Sequence, residues 1–348
     1  MADDTRDIHI RSEGRAGRIT LNRPKALNAL TYDMCLAIEA ALDDWVGDDA
    51  IDLLIIDAEG EKAFCAGGDI AELYRTGKSG DYTYGRRFWS DEYRMNAKLS
   101  EFPKPVISLM QGFVMGGGVG VGCHCSHRIV DTDAQIAMPE CGIGLVPDVG
   151  GSLLLARAPG RVGEYLGLTA ARMSAGDAIF AGFADACLSR DQWPDLVADL
   201  CAHGDIDSAE RPRAEAPPAS DLSALMDDIT AHFGGQRLDD IQHSLRAQDD
   251  DFTATALKHM RRNSPLSMGC TLEMIHRLRG PSAEIREALD LEYRFTHRSM
   301  EQGDFLEGVR AAIIDKDRDP NWKHALDALP DEAVSQMLLP LGDDALEL

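Results

Sequence analysis

The chain has 348 residues, a formal net charge of −24 at pH 7 and 44% hydrophobic residues. Its length buries a large core and suggests about two domains. Its charge argues against general nucleic-acid or anionic-membrane binding, although a local basic pocket can still take an anionic small molecule.

In chain order, the opening Met1-Ala-Asp-Asp-Thr-Arg-Asp has neither the basic nor the apolar region of an export signal. Eight cysteines scattered without framework spacing suit reduced thiols, so a cytoplasmic location is expected. Arg18–Leu21, Leu53–Ile56 and Val106–Met110 read as short buried strands. Between the first two, Thr31 can cap a helix whose Met34, Ile38, Leu42 and Trp45 recur at close to helical spacing. The uncharged stretch Pro105–Cys123 is long enough to raise the question of a membrane span. Its six glycines, with Ser108 and Gln111, suit a strand, a turn and a helix start instead. His127–Asp131 and Gln135–Met138 read as two strands around a Thr132-Asp133 turn, and residues 160–202 are helix-rich in pattern. Strand–helix alternation predicts an α/β core over residues 1–205. A connector follows at 206–220, with Arg211-Pro-Arg-Ala-Glu-Ala-Pro-Pro-Ala-Ser at its heart. Residues 221–348 form a helical C-terminal region, punctuated by Pro265, Gly280-Pro281 and Pro320.

Two segments carry the chemistry. Ala63-Phe-Cys-Ala-Gly-Gly-Asp69 and Gly112-Phe-Val-Met-Gly-Gly-Gly-Val-Gly120 place glycines where backbone N–H groups can face a substrate. Two such amides can converge on one carbonyl oxygen and stabilise its developing charge. Asp69 is expected to cap the helix that begins near Ile70. Met138-Pro-Glu140 and Pro147-Asp-Val-Gly-Gly151 add two carboxylates, Glu140 and Asp148. Taken singly, Glu140 reads as an ion-pair partner and Asp148 as a turn residue; together with the amides they suggest acyl chemistry.

Several alternatives lack their signatures. There is no Gly-x-Ser-x-Gly elbow, no Gly-x-Gly-x-x-Gly fingerprint and no His-Glu-x-x-His, and Gly77-Lys78-Ser79 lacks the upstream glycine of a phosphate loop. Cys123-His-Cys-Ser-His127 looks like metal-ligand material, but adjacent side chains at a helix end diverge, so packed thiols and no metal are expected.

These segments, in this order and spacing, resemble the crotonase (enoyl-CoA hydratase/isomerase) superfamily. The likeness spans roughly residues 8–325 and begins with Ile19-Thr-Leu-Asn-Arg-Pro-Lys-Ala-Leu-Asn-Ala-Leu30. It is more specific to the 3-hydroxyisobutyryl-CoA hydrolase branch in Met138–Gly151, Ser264-Pro-Leu-Ser267, Glu292-Tyr-Arg294, Asp304–Lys316 and Trp322-Lys323. The resemblance implies a spiral of ββα turns followed by a helical C-terminal region. It places the peptide N–H groups of Ala66 and Gly117 in the oxyanion hole. It makes Glu140 the general base or the nucleophile, and Asp148 a group that orients water or hydroxyl or carries a proton. Glu92, Gly68, Asp69 and Lys25 are the expected substrate contacts, Lys25 toward the phosphates of coenzyme A.

Where hydratases carry a catalytic Glu after the second glycine segment, this chain has Gly120, and where they usually carry Gly it has Asp148. The implied activity is therefore acyl-CoA thioester hydrolysis in valine breakdown. The alternatives are an enoyl-CoA hydratase or isomerase using Glu140, or an idle binding member of the family. Coenzyme A is part of the substrate and no cofactor is implied. A homo-oligomer stays open, since this core often trimerises and the C-terminal helices would compete for that surface.

Overall fold

The computed structural model describes residues 7–210, 212 and 216–348. A six-stranded sheet is built from β1 (Ile8–Glu13), β2 (Ala16–Leu21), β3 (Leu53–Ala58), β5 (Val106–Met110), β7 (His127–Val130) and β9 (Ala186–Cys187), neighbouring in that order. β1 and β2 form an antiparallel hairpin, and the remaining pairings are parallel. Parallel strands of this kind are buried on both faces and read as continuous apolar runs. β5, Val-Ile-Ser-Leu-Met, is buried at every position. A second, three-stranded sheet runs β4 (Ala63–Cys65), β6 (Phe113–Met115), β8 (Gln135–Ala137). The sequence shows β2, β3, β5, β7 and β8 but not β4 or β6, which lie inside the glycine segments. Embedded among glycines, their apolar residues read as part of the turns, whereas β8, equally short, stands clear beside the Thr132-Asp133 turn.

Helix α1 (Tyr32–Trp45) follows its sequence signal: the Thr31 hydroxyl accepts from Met34 N, and Met34, Ile38, Leu42 and Trp45 are buried. α2 (Ala71–Lys78), α3 (Thr83–Ser100) and α4 (Gly117–Gly122) come next. Asp69 does not cap α2 as expected. Ile70 occupies the N-cap position, and the cap has no side-chain bond. The Pro105–Cys123 stretch becomes β5, β6 and all of α4. Among the described residues no helix is long and apolar enough to cross a membrane.

The chain folds into two compact units of interleaved segments. One runs through Gly68, resumes over Arg94–Ile136 and closes with Met173–Asp221; the other comprises Asp69–Tyr93, Ala137–Arg172 and Leu222–Leu348. The expected consecutive pieces 1–205, 206–220 and 221–348 are not the compact units, although one division does fall beside Asp221. Packing explains the difference: the C-terminal helices find their apolar partners in segments from the first half of the chain. Of the expected connector, Arg211 and residues 213–215 lie outside the described residues, while residues 216–220 have no regular structure.

The first unit holds both sheets. Ile55, Ile107, Leu109 and Ile129 pack there against Trp193, Leu196, Val197 and Leu200 of the helix Trp193–His203. The second unit is helical. Its Pro265–Leu278 helix starts with Pro265 at the position where a missing N–H costs nothing, and the Ser264 hydroxyl caps Ser267 N at 3.1 Å.

Candidate active site

Within the first unit, the motif Asn22–Leu30 shapes the first amide turn. Asn28 is fully buried. Its Nδ2 donates to the carbonyls of Glu59 and Ala63 at 2.9 Å each, and its Oδ1 accepts from Arg23 N at 2.7 Å. So fixed, this stretch presents its backbone to the 66–68 turn. Leu30 N donates to Gly67 O at 2.9 Å, and Ala66 N donates to Leu27 O at 3.0 Å.

That last bond corrects one expectation. The Ala66 N–H is committed to local structure and does not have its donor free for an oxyanion. Gly67 takes φ 116°, which turns the chain, and the following Gly68 N–H has no acceptor among the described residues. The first available donor is therefore Gly68, two residues beyond the expected position. Gly117 is the second expected donor. Gly117 opens α4, and the first N–H groups of a helix have no intrahelical acceptor. The two turns approach closely: a Cβ on Gly118 would lie 2.2 Å from the Cys65 carbonyl oxygen, which no side chain tolerates.

Gly120, also buried in α4, puts no carboxylate into this region. Lys25 is exposed in the short turn Pro24–Ala26 within that motif. Cys123 and Cys125 are packed thiols. Cys125 Sγ donates to Val121 O at 3.3 Å, and burial pushes its pKa up to about 12.

Among the described residues of the second unit, six carboxyl groups are buried, Glu92, Glu140, Asp148, Glu164, Glu292 and Asp304, and the electrostatics of four of them, Glu92, Glu140, Asp148 and Glu292, are linked. Asp148 has a donor, since the Tyr93 hydroxyl lies 2.8 Å from its Oδ2. Burial raises Asp148 to about 7, with the Tyr93 bond pulling the other way. Glu140 opens a short helical turn, Glu140–Ile143, and its Oε2 is buried with no protein partner. Burial, and then the Asp148 charge, hold Glu140 well above the ordinary carboxylate range. The two environments differ: the Tyr93 hydroxyl favours the charged form of Asp148, whereas Glu140 Oε2 has no such donor. Glu92 is also pushed well up, by burial first and by Asp148 second.

Glu292 and Tyr93 were not among the expected site residues. The Glu292 carboxylate accepts from Gly150 N at 2.8 Å, from Ser152 N at 3.1 Å and from the Ser152 hydroxyl. These bonds hold the turn just after Asp148, where Val149 sits at φ 53°. A β-branched residue there is strained and persists only where its surroundings fix it. Burial raises Glu292 to about 8, with the Ser152 and Gly150 bonds opposing.

The other C-terminal motifs brace the same stretch. Asp304 accepts from the Ser264 hydroxyl at 2.6 Å and from Lys323 N at 3.0 Å, while Ser264 N donates to Cys141 O at 2.9 Å. A Cβ on Gly308 would lie 2.2 Å from the Ile143 backbone, and one on Gly144 would lie 2.4 Å from that of Asp304. Glu292, Ser264, Asp304 and Gly308 all belong to the quoted motifs or their immediate extension. The sequence signal was visible, but its target was not.

The enoyl-CoA hydratase/isomerase family pattern matches residues 16–338. The chain belongs to that family. Its α/β architecture is the crotonase fold, and at this level it is an acyl-CoA enzyme. Similar relatives include the mitochondrial 3-hydroxyisobutyryl-CoA hydrolases of Gallus gallus and Homo sapiens. Each is 35% identical, with 99% of this chain and 92% of the relative covered. Among solved structures, an enoyl-CoA hydratase from Rhodobacter sphaeroides 2.4.1 is 56% identical, with TM-score 0.92 over 99% of this chain and 100% of that one. A carnitinyl-CoA dehydratase from Mycobacterium thermoresistibile is 38% identical, with TM-score 0.92 over 99% of each chain.

Proposed function

We propose that the protein hydrolyses an acyl-CoA thioester, with 3-hydroxyisobutyryl-CoA as substrate and 3-hydroxyisobutyrate and free coenzyme A as products, as in valine breakdown. The observation that carries this reading is Glu140: a buried carboxyl whose Oε2 has no protein partner, beside an Asp148 held by Tyr93. Relatives across their full length carry that hydrolase name.

In this reading the N–H groups of Gly68 and Gly117 hold the thioester oxygen as negative charge develops on it. Gly68 takes the role first expected of Ala66. Glu140, once ionised, removes a proton from water as the water oxygen attacks the carbonyl carbon. The C–S bond then breaks, and the thiolate leaves with a proton. The nucleophilic alternative also runs through Glu140, by way of a mixed anhydride. A single turnover in ¹⁸O-water separates the two, because only the anhydride route leaves label in the Glu140 carboxyl. Asp148 orients the water or carries the proton, Glu92 accepts from the acyl hydroxyl, and Asp69 contacts the substrate. Lys25 meets a coenzyme A phosphate.

A second reading, water addition to an enoyl-CoA, draws support from the Rhodobacter structure's name. Against it stands Gly120, which supplies no second carboxylate in α4. Thiol release from 3-hydroxyisobutyryl-CoA, followed in parallel with hydration of crotonyl-CoA, decides between them. Rapid thiol release without hydration is expected; hydration without thiol release overturns the hydrolase.

A further inference from the structure

One face of the helix Ile285–Ser299 grips the surroundings of Asp148 twice. Glu292 takes the backbone N–H groups of Gly150 and Ser152. Thr296, four residues on and therefore on the same helix face, reaches Asp148 through Tyr93. Thr296 and Tyr93 are both fully buried. The Tyr93 hydroxyl lies 2.8 Å from Asp148 Oδ2 and 3.5 Å from Thr296 Oγ1, and the Thr296 hydroxyl donates to Tyr293 O at 3.4 Å. The Tyr93 ring stands edge-on to that of Tyr293, with centroids 6.2 Å apart. The Tyr293 hydroxyl donates in turn to Arg86 O at 3.3 Å. Packing as well as the bond to Asp148 aims the phenol.

Acids and hydroxyls surround Asp148. Glu92 and Tyr93 on α3, Glu140 on its own stretch and Glu292 on the C-terminal helix all feel its charge. Among the described residues no cation pairs with it. An arginine there would hold only the carboxylate, since it has donors and no acceptor. A hydroxyl serves both charge states. Beside a carboxylate, Tyr93 donates to Asp148 while Thr296 donates to Tyr293 O. Beside a carboxylic acid, Tyr93 accepts from Asp148 and turns its own O–H to Thr296 Oγ1, whose bond to Tyr293 O is unchanged. Every hydrogen keeps an acceptor, and the only motion is rotation of one phenolic O–H. Tyr93 itself stays neutral: burial, and then the Asp148 and Glu292 charges, hold it well above the ordinary phenol range.

We propose that Tyr93 and Thr296 are positioning residues that hold Asp148 as carboxylate and as carboxylic acid alike, so that Asp148 takes up and releases a proton without losing its place. Only the catalytic consequence rests on the hydrolase reading: the proton lost by the attacking water reaches the departing thiolate by way of Asp148, while Tyr93 and Thr296 each keep their own. A carboxyl titration by NMR tests it, on full-length protein carrying ¹³C in the aspartate carboxyl groups, the Asp148 signal being the one lost in Asp148→Asn. Tyr93→Phe keeps the packed ring and removes the donor to the carboxylate, so the Asp148 midpoint should rise by roughly one pH unit. Thr296→Val removes the acceptor used only beside the carboxylic acid, so the midpoint should fall by roughly half a pH unit, and Thr296→Ser should restore it. Packing damage alone would not move the two variants in opposite directions. An unmoved midpoint in either variant, or a shift of the same sign in both, overturns the proposal. Thiol release from 3-hydroxyisobutyryl-CoA is read on the same samples, and kcat should fall roughly tenfold in Tyr93→Phe with KM little changed. Wild-type kcat there would overturn the catalytic consequence. If the wild type itself releases no thiol, the hydrolase reading fails, and the titration still decides whether the hydroxyl pair holds Asp148.

Discussion

The amide turns and the carboxylate cluster are built by different means. The turns at 66–68 and 116–118 are backbone constructions, in which glycines permit the shape and a neighbouring stretch, Asn22–Leu30, locks it through Asn28. The cluster is a side-chain construction. Glu140 and Asp148 come from one stretch, while the groups that fix them, Tyr93, Glu292, Asp304 and Ser264, come from up to 164 residues away in sequence, Glu140 to Asp304 being the longest span. A backbone device is spoiled by any added side chain. A side-chain device is spoiled by changing charge while keeping shape.

Substitutions can separate the two. The largest effect is expected from Glu140→Gln, which keeps volume and removes the ionisable oxygen: kcat for thiol release should fall roughly 10²–10⁴-fold with KM little changed. Near-wild-type turnover would remove Glu140 from the chemistry. Gly118→Ala attacks the backbone device, because its Cβ meets the Cys65 carbonyl oxygen at 2.2 Å. Displacing that turn should lower kcat by roughly 10²-fold and stability by about 1–3 kcal/mol, read as turnover and Tm together.

Glu292→Gln sets an amide NH₂ against the donors of the 150–152 turn and should cost roughly tenfold to a hundredfold in kcat.

Stability should follow pH through the same cluster. With Asp148 raised to about 7 and Glu292 to about 8, the native state keeps protons that the unfolded chain loses near pH 4. Their contribution is full below about pH 4, is lost as pH rises through about 7–8, and is flat above. Tm should decline from pH 5 to pH 8 in the wild type and decline less in Asp148→Asn. An equal slope in both would contradict the assignment. The smallest effect is expected from Lys25→Ala. Since Lys25 is exposed, KM for the CoA thioester should rise only several-fold, with kcat unchanged.

Much of this was legible in the sequence, but unevenly. β5 and α1 were read from their apolar runs and the Thr31 cap because their signals lie within the element itself. β4 and β6 were not, since their residues are embedded in the glycine segments and read as turn. Gly117 was expected as a donor from its segment, and it opens α4. Ala66 was misplaced by two residues, because which amide is free depends on where Leu27 O lies. Asp69 looked like a cap, but the helix takes its N-cap one residue later. Glu292 stood inside a quoted motif with no role attached, since nothing local points from Glu292 to Gly150.

By itself, the sequence determined the family, the alternation of strands and helices and the two glycine turns, and it singled out Glu140 and Asp148 as candidates. Each is carried by residue type and short spacing, which survive without coordinates. Only the tertiary structure decided which peptide N–H remains unspent, which carboxyl has a hydrogen-bond donor, and how the C-terminal motifs brace the turn after Asp148. Those outcomes depend on desolvation and on hydrogen bonds between residues far apart in sequence, and both exist only once the chain has packed.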